Sequence, residues 1–255
     1  MGQSFIFVDN FIAANMKPLY EILKQHRIHF HKVVDFTGTD IIAPLDLTKN
    51  NPSLTEFIFN DTEAFAAYIQ QELVKTNARY LIGGYNELRE MYKRSALFDF
   101  EKKQLGTSGI PHHNITEPRR LHLGIDIWSA AGTAVYAPLG GMVHSFANNA
   151  GYGDYGATII LQDQLATVTF HPLYGHLSLK DIAGLREGQV ITRGQPFAHF
   201  GAPLENGYWP PHLHFQVIED MELKEGDYPG VCRQSEAAKY LQNCPDPGLI
   251  LNMKP

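Results

Sequence analysis

The chain has 255 residues, with 21 Lys and Arg against 27 Asp and Glu, a formal net charge of −6. That balance excludes a nucleic-acid partner, because no basic cluster is there to neutralise a run of phosphates. No apolar run approaches the length of a membrane span, and the start MGQSFIFVDNFIAANMKPLY has no basic stretch before its apolar residues, which points to the cytosol.

Residues 1–105 read as a mixed, mostly helical region. Met16–His26 carries apolar residues at helical spacing. Asn60–Asn77 opens on a capping box, Asn60 with Glu63, and continues with a stripe of Phe65, Tyr68, Ile69 and Leu73. Gly83–Phe98 predicts a glycine turn and a further helix, and His31–Thr48 is extended or irregular. Residues 106–118 are polar and rich in Gly, Pro, Ser and Thr, the texture of a linker.

From 119 to 220 the pattern changes to short β-like runs separated by glycines, as in TAVYAPLGGMVHSF, GATIILQD and GQVITRGQPFAHFG. Strands at that spacing predict an antiparallel sandwich or barrel, so the fold class is α+β. Residues 221–255 form a loop-rich extension with one short helix near Ser235–Leu241. Cys232 and Cys244 fall in it and suit reduced thiols.

Two of the β-like runs carry chemistry. In PPHLHFQV (Pro210–Val217) alternate side chains share a face, so His212, His214 and Gln216 oppose Leu213, Phe215 and Val217. In LHLGIDIW (Leu121–Trp128) the same period puts His122 and Asp126 on one face, with Gly124 leaving space between them. Imidazoles and a carboxylate suit Zn²⁺, and catalytic sites typically pair three protein ligands with one water. His176, in LYGHLSL, is a further candidate, since an unligated histidine near a metal can move protons.

HLGID, YGHLS and HLHF, in that order, resemble the three motifs of the lysostaphin-type (β-lytic) zinc metallopeptidases, over about Arg119–Asp220. The resemblance implies a catalytic domain of the duplicated hybrid motif type and one Zn²⁺ per chain held by His122, Asp126 and His214. It implies catalytic roles for His212, the expected general base, and His176, the two being interchangeable. Its substrate would be a peptide or cell-wall-derived peptide. Two departures bear on substrate choice. APLENGYWPPHLHF places Glu205, Tyr208 and Trp209 where the family has a turn of small residues, and Gln216 stands where an acid is common. The C-terminal extension resembles, more loosely, domains fused to class III aminotransferase-like enzymes inside cells.

Arg119 and Arg120 are candidates to clamp a substrate carboxylate, and Tyr155, Tyr208 and Trp209 to line a groove. His26, His29 and His31 read as surface residues, His112 and His113 as linker residues able to reach the site mouth. GGYNELR (Gly83–Arg89) lacks the spacing of a phosphate loop. A metallohydrolase is the leading function. The alternatives are a non-catalytic or latent zinc-containing binding or regulatory module and a histidine phosphocarrier, which Asp126 opposes by its charge.

Overall fold

A computed structural model describes residues 18–99 and 117–253. His112, His113 and nearly all of the expected linker lie outside the described residues.

Helix α1 (Leu19–Gln25) buries Leu19, Ile22 and Leu23, the i, i+3, i+4 set of an amphipathic turn. Strand β1 (Ile42–Leu45), helix α2 (Glu56–Asn60) and helix α3 (Thr62–Thr76) follow. The predicted stripe forms α3, but the cap lies one residue further on. Asp61, not Asn60, accepts the Ala64 N–H at 2.7 Å. Next come β2 (Tyr80–Gly83) and β3 (Glu87–Leu88).

The helix expected across 83–98 does not form. Beyond β3 the chain makes two short 3₁₀ turns, Glu90–Arg94 and Ala96–Phe98. Met91, Arg94, Ser95 and Phe98 are buried at helical spacing, but Arg89 and Tyr92 are buried as well and lie off that stripe.

The β-rich part runs through β4 (Leu121–His122), β5 (Ile125–Trp128), β6 (Ala134–Tyr136), β7 (Gly141–Asn149), β8 (Gly156–Leu165) and β9 (Val168–Leu177). Helix α4 (Leu179–Ile182), β10 (Val190–Ile191), β11 (Pro196–His199) and β12 (His212–Ile218) follow, then β13 (Val231–Cys232), α5 (Ala237–Asn243) and α6 (Gly248–Leu251).

Eight strands make one sheet in the order β1-β2-β5-β12-β9-β8-β7-β10, flanked by a β11-β6 pair and a β13-β4-β3 sheet. Its neighbours are antiparallel except β1 and β2, which run parallel. The sheet is open, with β1 and β10 at its edges, and not the barrel that the strand spacing allows. It also continues across the expected division at 106–118, because β2 pairs with β5 with Ile82 opposite Ile127.

The period-two pattern decides what each sheet face does. Ile125, Ile127, Leu213, Phe215 and Val217 enter the largest apolar cluster, with Ile159, Leu161, α1 and the β6–β11 pair. Each such side chain contributes roughly 1.5–3 kcal/mol on burial. Asp126, Trp128, His212, His214 and Gln216 point the other way. Beside them a second cluster joins Phe65, Tyr68 and Ile69 of α3 to Trp128 and Trp209.

Candidate active site

β12 lies between β5 and β9, which sets His214 opposite Asp126 on one side and Gly175 on the other. His122 and Asp126 do not share one strand as their spacing suggests. Leu123 and Gly124 interrupt it, and β4 belongs to the smaller sheet. The bend still brings the side chains together. His122 Nε2 is 3.0 Å from His214 Nδ1 and 3.3 Å from Asp126 Oδ1, and His214 Nδ1 is 3.1 Å from Asp126 Oδ1.

Gly124 permits this. A Cβ there would stand 2.5 Å from His214 Cε1 and 2.9 Å from the Phe215 carbonyl oxygen.

The outer hydrogen bonds fix which imidazole nitrogen carries the proton. His122 Nδ1 meets the Gly84 carbonyl at 2.9 Å, so that nitrogen donates and Nε2 keeps a lone pair. His214 Nε2 meets Gln216 Oε1 at 2.9 Å, leaving the Nδ1 lone pair facing Asp126. Gln216 is itself oriented, because its Nε2 donates to the Pro229 carbonyl and the Cys244 sulfur at 3.1 and 3.3 Å. Cys244 and Cys232 are buried and form no disulfide.

Asp126 Oδ2 accepts from Arg89 Nη1 at 2.5 Å, and Arg89 Nε donates to Glu87 at 2.6 Å. Burial opposes the Asp126 charge, but His122, Arg89 and His214 hold its carboxyl well below the ordinary range. Burial and the Arg89 charge depress His122 to about 4, so its ring is neutral at neutral pH.

Three donor atoms 3.0–3.3 Å apart fit one small ion. The edge of a tetrahedron around Zn²⁺ with ligands at 2.0–2.1 Å is about 3.3 Å. Among the described residues His122, Asp126 and His214 are the group that could hold a metal.

His176 and His212 stand beside the triangle with ring centres 4.1 Å apart. Each donates its Nδ1–H to a carbonyl at 2.8 Å, His176 to Asn206 and His212 to Pro210, so both Nε2 lone pairs are free. Burial depresses both, His212 to about 4 and His176 well below its ordinary range. His212 also stacks on Trp128 at 3.9 Å. His176 adopts φ 63°, a left-handed conformation rare for histidine and characteristic of strained functional positions.

The other candidates divide. Tyr155 lies at the site, its ring 5.6 Å from His176 and 5.2 Å from His214. Trp209 is buried with its ring 6.2 Å from His176 and 6.4 Å from His212. Tyr208 is half-exposed and stands against Tyr152. Arg119 and Arg120 are not brought to the triangle. Arg119 donates to the Leu97 carbonyl over the Phe98 ring, and Arg120 pairs with Asp99. Arg89 and Gly84 are not among the candidates the motifs single out, although both lie in GGYNELR. An arginine among alternating residues after a double glycine was the available signal.

Residues 120–225 match the model of peptidase family M23. That match falls on the β-rich segment that carries the site. No curated protein sequence matches the chain. Among solved structures, a zinc-containing peptidase from Vibrio cholerae is 28% identical over 41% of this chain and 29% of its own, with a TM-score of 0.32. A putative M23 peptidase from Pseudomonas aeruginosa is 20% identical over 52% of this chain and 45% of its own, with a TM-score of 0.34. The catalytic domain of lysostaphin from Staphylococcus simulans is 24% identical over 48% of this chain and 80% of its own, with a TM-score of 0.30. The alignments thus span less than half of the Vibrio and Pseudomonas proteins. No described helix is long and apolar enough to cross a membrane.

Proposed function

We propose that this chain is a zinc metallohydrolase that cuts an amide bond in a peptide or muropeptide-like substrate. The observation that carries this is the closed triangle of His122 Nε2, His214 Nδ1 and Asp126 Oδ1, with both imidazole tautomers fixed so that the lone pairs converge. When bound, zinc would supply Lewis acidity and lower the pKa of a water in its open position. His122, Asp126 and His214 would hold the ion. Arg89 occupies the second oxygen of Asp126 and leaves the first free for it.

His212 is assigned to take the proton from the attacking water. His176, once that proton reaches it from His212, steadies the oxygen of the attacked carbonyl or passes the proton to the leaving amine. The two rings can exchange these roles. Both are neutral at neutral pH with Nε2 free, the state a base requires. A cytosolic setting suits the two cysteines, which form no disulfide.

Burial of all five site residues, at 0–6% exposure, favours a second reading in which the enzyme is latent until the site opens.

The test is elemental analysis of the wild type and His214→Ala, with amide hydrolysis assayed with and without chelator and after limited proteolysis. The proposal expects about one zinc per wild-type chain, background metal in the variant, and turnover that chelation abolishes. Latency expects that turnover to rise after proteolysis. A wild type that takes up no zinc, or cuts no amide in any of these states, overturns the proposal.

A further inference from the structure

Arg94 is nearly as buried as Arg89, at 8% exposure against 0%. Its Cζ lies 4.4 Å from the Trp209 ring centre and 4.9 Å from that of Tyr152. Nε donates to the Tyr152 hydroxyl at 3.2 Å, and Nη2 donates to the Tyr152 and Thr62 hydroxyls and to the Tyr208 carbonyl at 2.9–3.1 Å. All of these acceptors are neutral.

Among the described residues no carboxylate pairs with Arg94, whereas Arg89 has two, Glu87 and Asp126. Arg94 Nη1 is buried with no acceptor, and so is Trp209 Nε1. A buried charge without a counter-charge is costly, and orphaned donors in a folded protein require an explanation.

A purely structural brace between Thr62, Tyr152 and Tyr208 accounts for Nε and Nη2 only. It leaves Nη1 and the charge idle. The placement supplies the missing partner. Trp209 separates the guanidinium from the catalytic pair, and Tyr152 and Tyr208, whose rings are 5.6 Å apart, are 41% and 39% exposed. This corner therefore lies between two solvent-exposed rings and the site.

We propose that Arg94 Nη1, with Trp209 Nε1 beside it, binds a free carboxylate of the peptide substrate, so that the enzyme prefers peptides with an acidic group close to the cut bond. The proposal rests on the reading that the site takes a peptide. A guanidinium matches the planar, two-oxygen geometry of a carboxylate.

The test uses the full chain carrying His212→Ala, which binds without turnover. N-acetylglycine and Gly-Gly are titrated as free acids and as amides. Saturable binding of the acids is expected, with the amides at least about tenfold weaker. Arg94→Met should remove that discrimination while zinc content stays unchanged. Trp209→Phe, which keeps the packing and deletes one donor, should weaken the acids severalfold and leave the amides alone.

Acids and amides binding alike, or neither binding, overturns the subsite. Tighter binding of inorganic phosphate than of either acid assigns the corner to a different anion and overturns it too. Because the readout is binding, the two proposals fail separately. An enzyme that cuts amidated and free peptides equally well keeps its hydrolase function and loses this subsite.

Discussion

Arg89 and Arg94 lie five residues apart on one short stretch, both out of water, and their surroundings are opposites. Arg89 gives Nε to Glu87 and Nη1 to Asp126, and Nη2 donates to the Gly84 carbonyl at 3.2 Å. Around it the metal triangle has a partner for every imidazole N–H. Arg94, on the far side of Trp209, has only neutral acceptors and one idle nitrogen. The difference separates two jobs that burial alone does not distinguish. A fully paired cluster holds a fixed geometry, as a metal centre requires. A cluster with donors to spare is built for something that arrives.

The largest test of this contrast is removal of the paired arginine. Arg89→Met leaves Asp126 buried, and Glu87 half-buried, with no cation, and breaking such a buried pair costs about 3–5 kcal/mol. Zinc affinity should fall about 10–100-fold, the usual loss when a group orienting a metal ligand is removed. Arg89→Lys keeps the charge but not the fork, and should recover part of the stability and little of the affinity. Chelator competition measures the affinity and thermal unfolding the stability. If Arg89→Met binds zinc like the wild type, Arg89 has no part in positioning Asp126.

A smaller effect comes from steric crowding of the same cluster. Gly124→Ala places a methyl 2.5 Å from the His214 ring and 2.9 Å from a backbone oxygen, so the ring and β12 must both shift. Overpacking of this kind costs about 1–3 kcal/mol. Zinc affinity should fall while His176 and His212 keep their carbonyl partners. Unfolding and chelator competition together read both effects, and an unchanged affinity would mean the His214 ring relocates freely.

The metal face of β12 and β5 was legible in the sequence because period two is a local rule. His212, His214 and Asp126 point where alternation sends them. The position of His122 was legible for a partly wrong reason, since two short strands and a glycine bend do the work assigned to one strand. Arg89 and Gly84 were hidden because their roles depend on β2 and β3 docking on β5 and β4, a contact between distant segments. The helix expected over 83–98 failed for the same cause. Its apolar spacing is helical in part, but Arg89 and Tyr92 are buried off that stripe and the segment turns twice in place of one helix. The Asp61 cap shows the scale of ordinary boundary error, one residue.

Asp163 refines the contrast at the smallest scale. It lies on β8, away from the metal triangle, and both carboxylate oxygens are buried without a partner. Burial alone raises it to about 7. An unpaired group is therefore not a binding site by itself, and Asp163 differs from Arg94 in being able to discharge by taking up a proton. The sign follows from linkage. Below about pH 4 the carboxyl is protonated in both folded and unfolded chains and costs nothing. Between about 4 and 7 the unfolded chain ionises while the folded one holds its proton, so stability falls as pH rises, by up to about 1.4 kcal/mol per unit. Asp163→Asn should remove that component of the slope and leave zinc content as it was, which unfolding at pH 5, 6 and 7 would measure. An unchanged slope would mean that a donor or a water reaches the carboxylate and restores its ordinary acidity. Charge left unpaired in the fold would then be a feature of the Arg94 corner and not of the sheet.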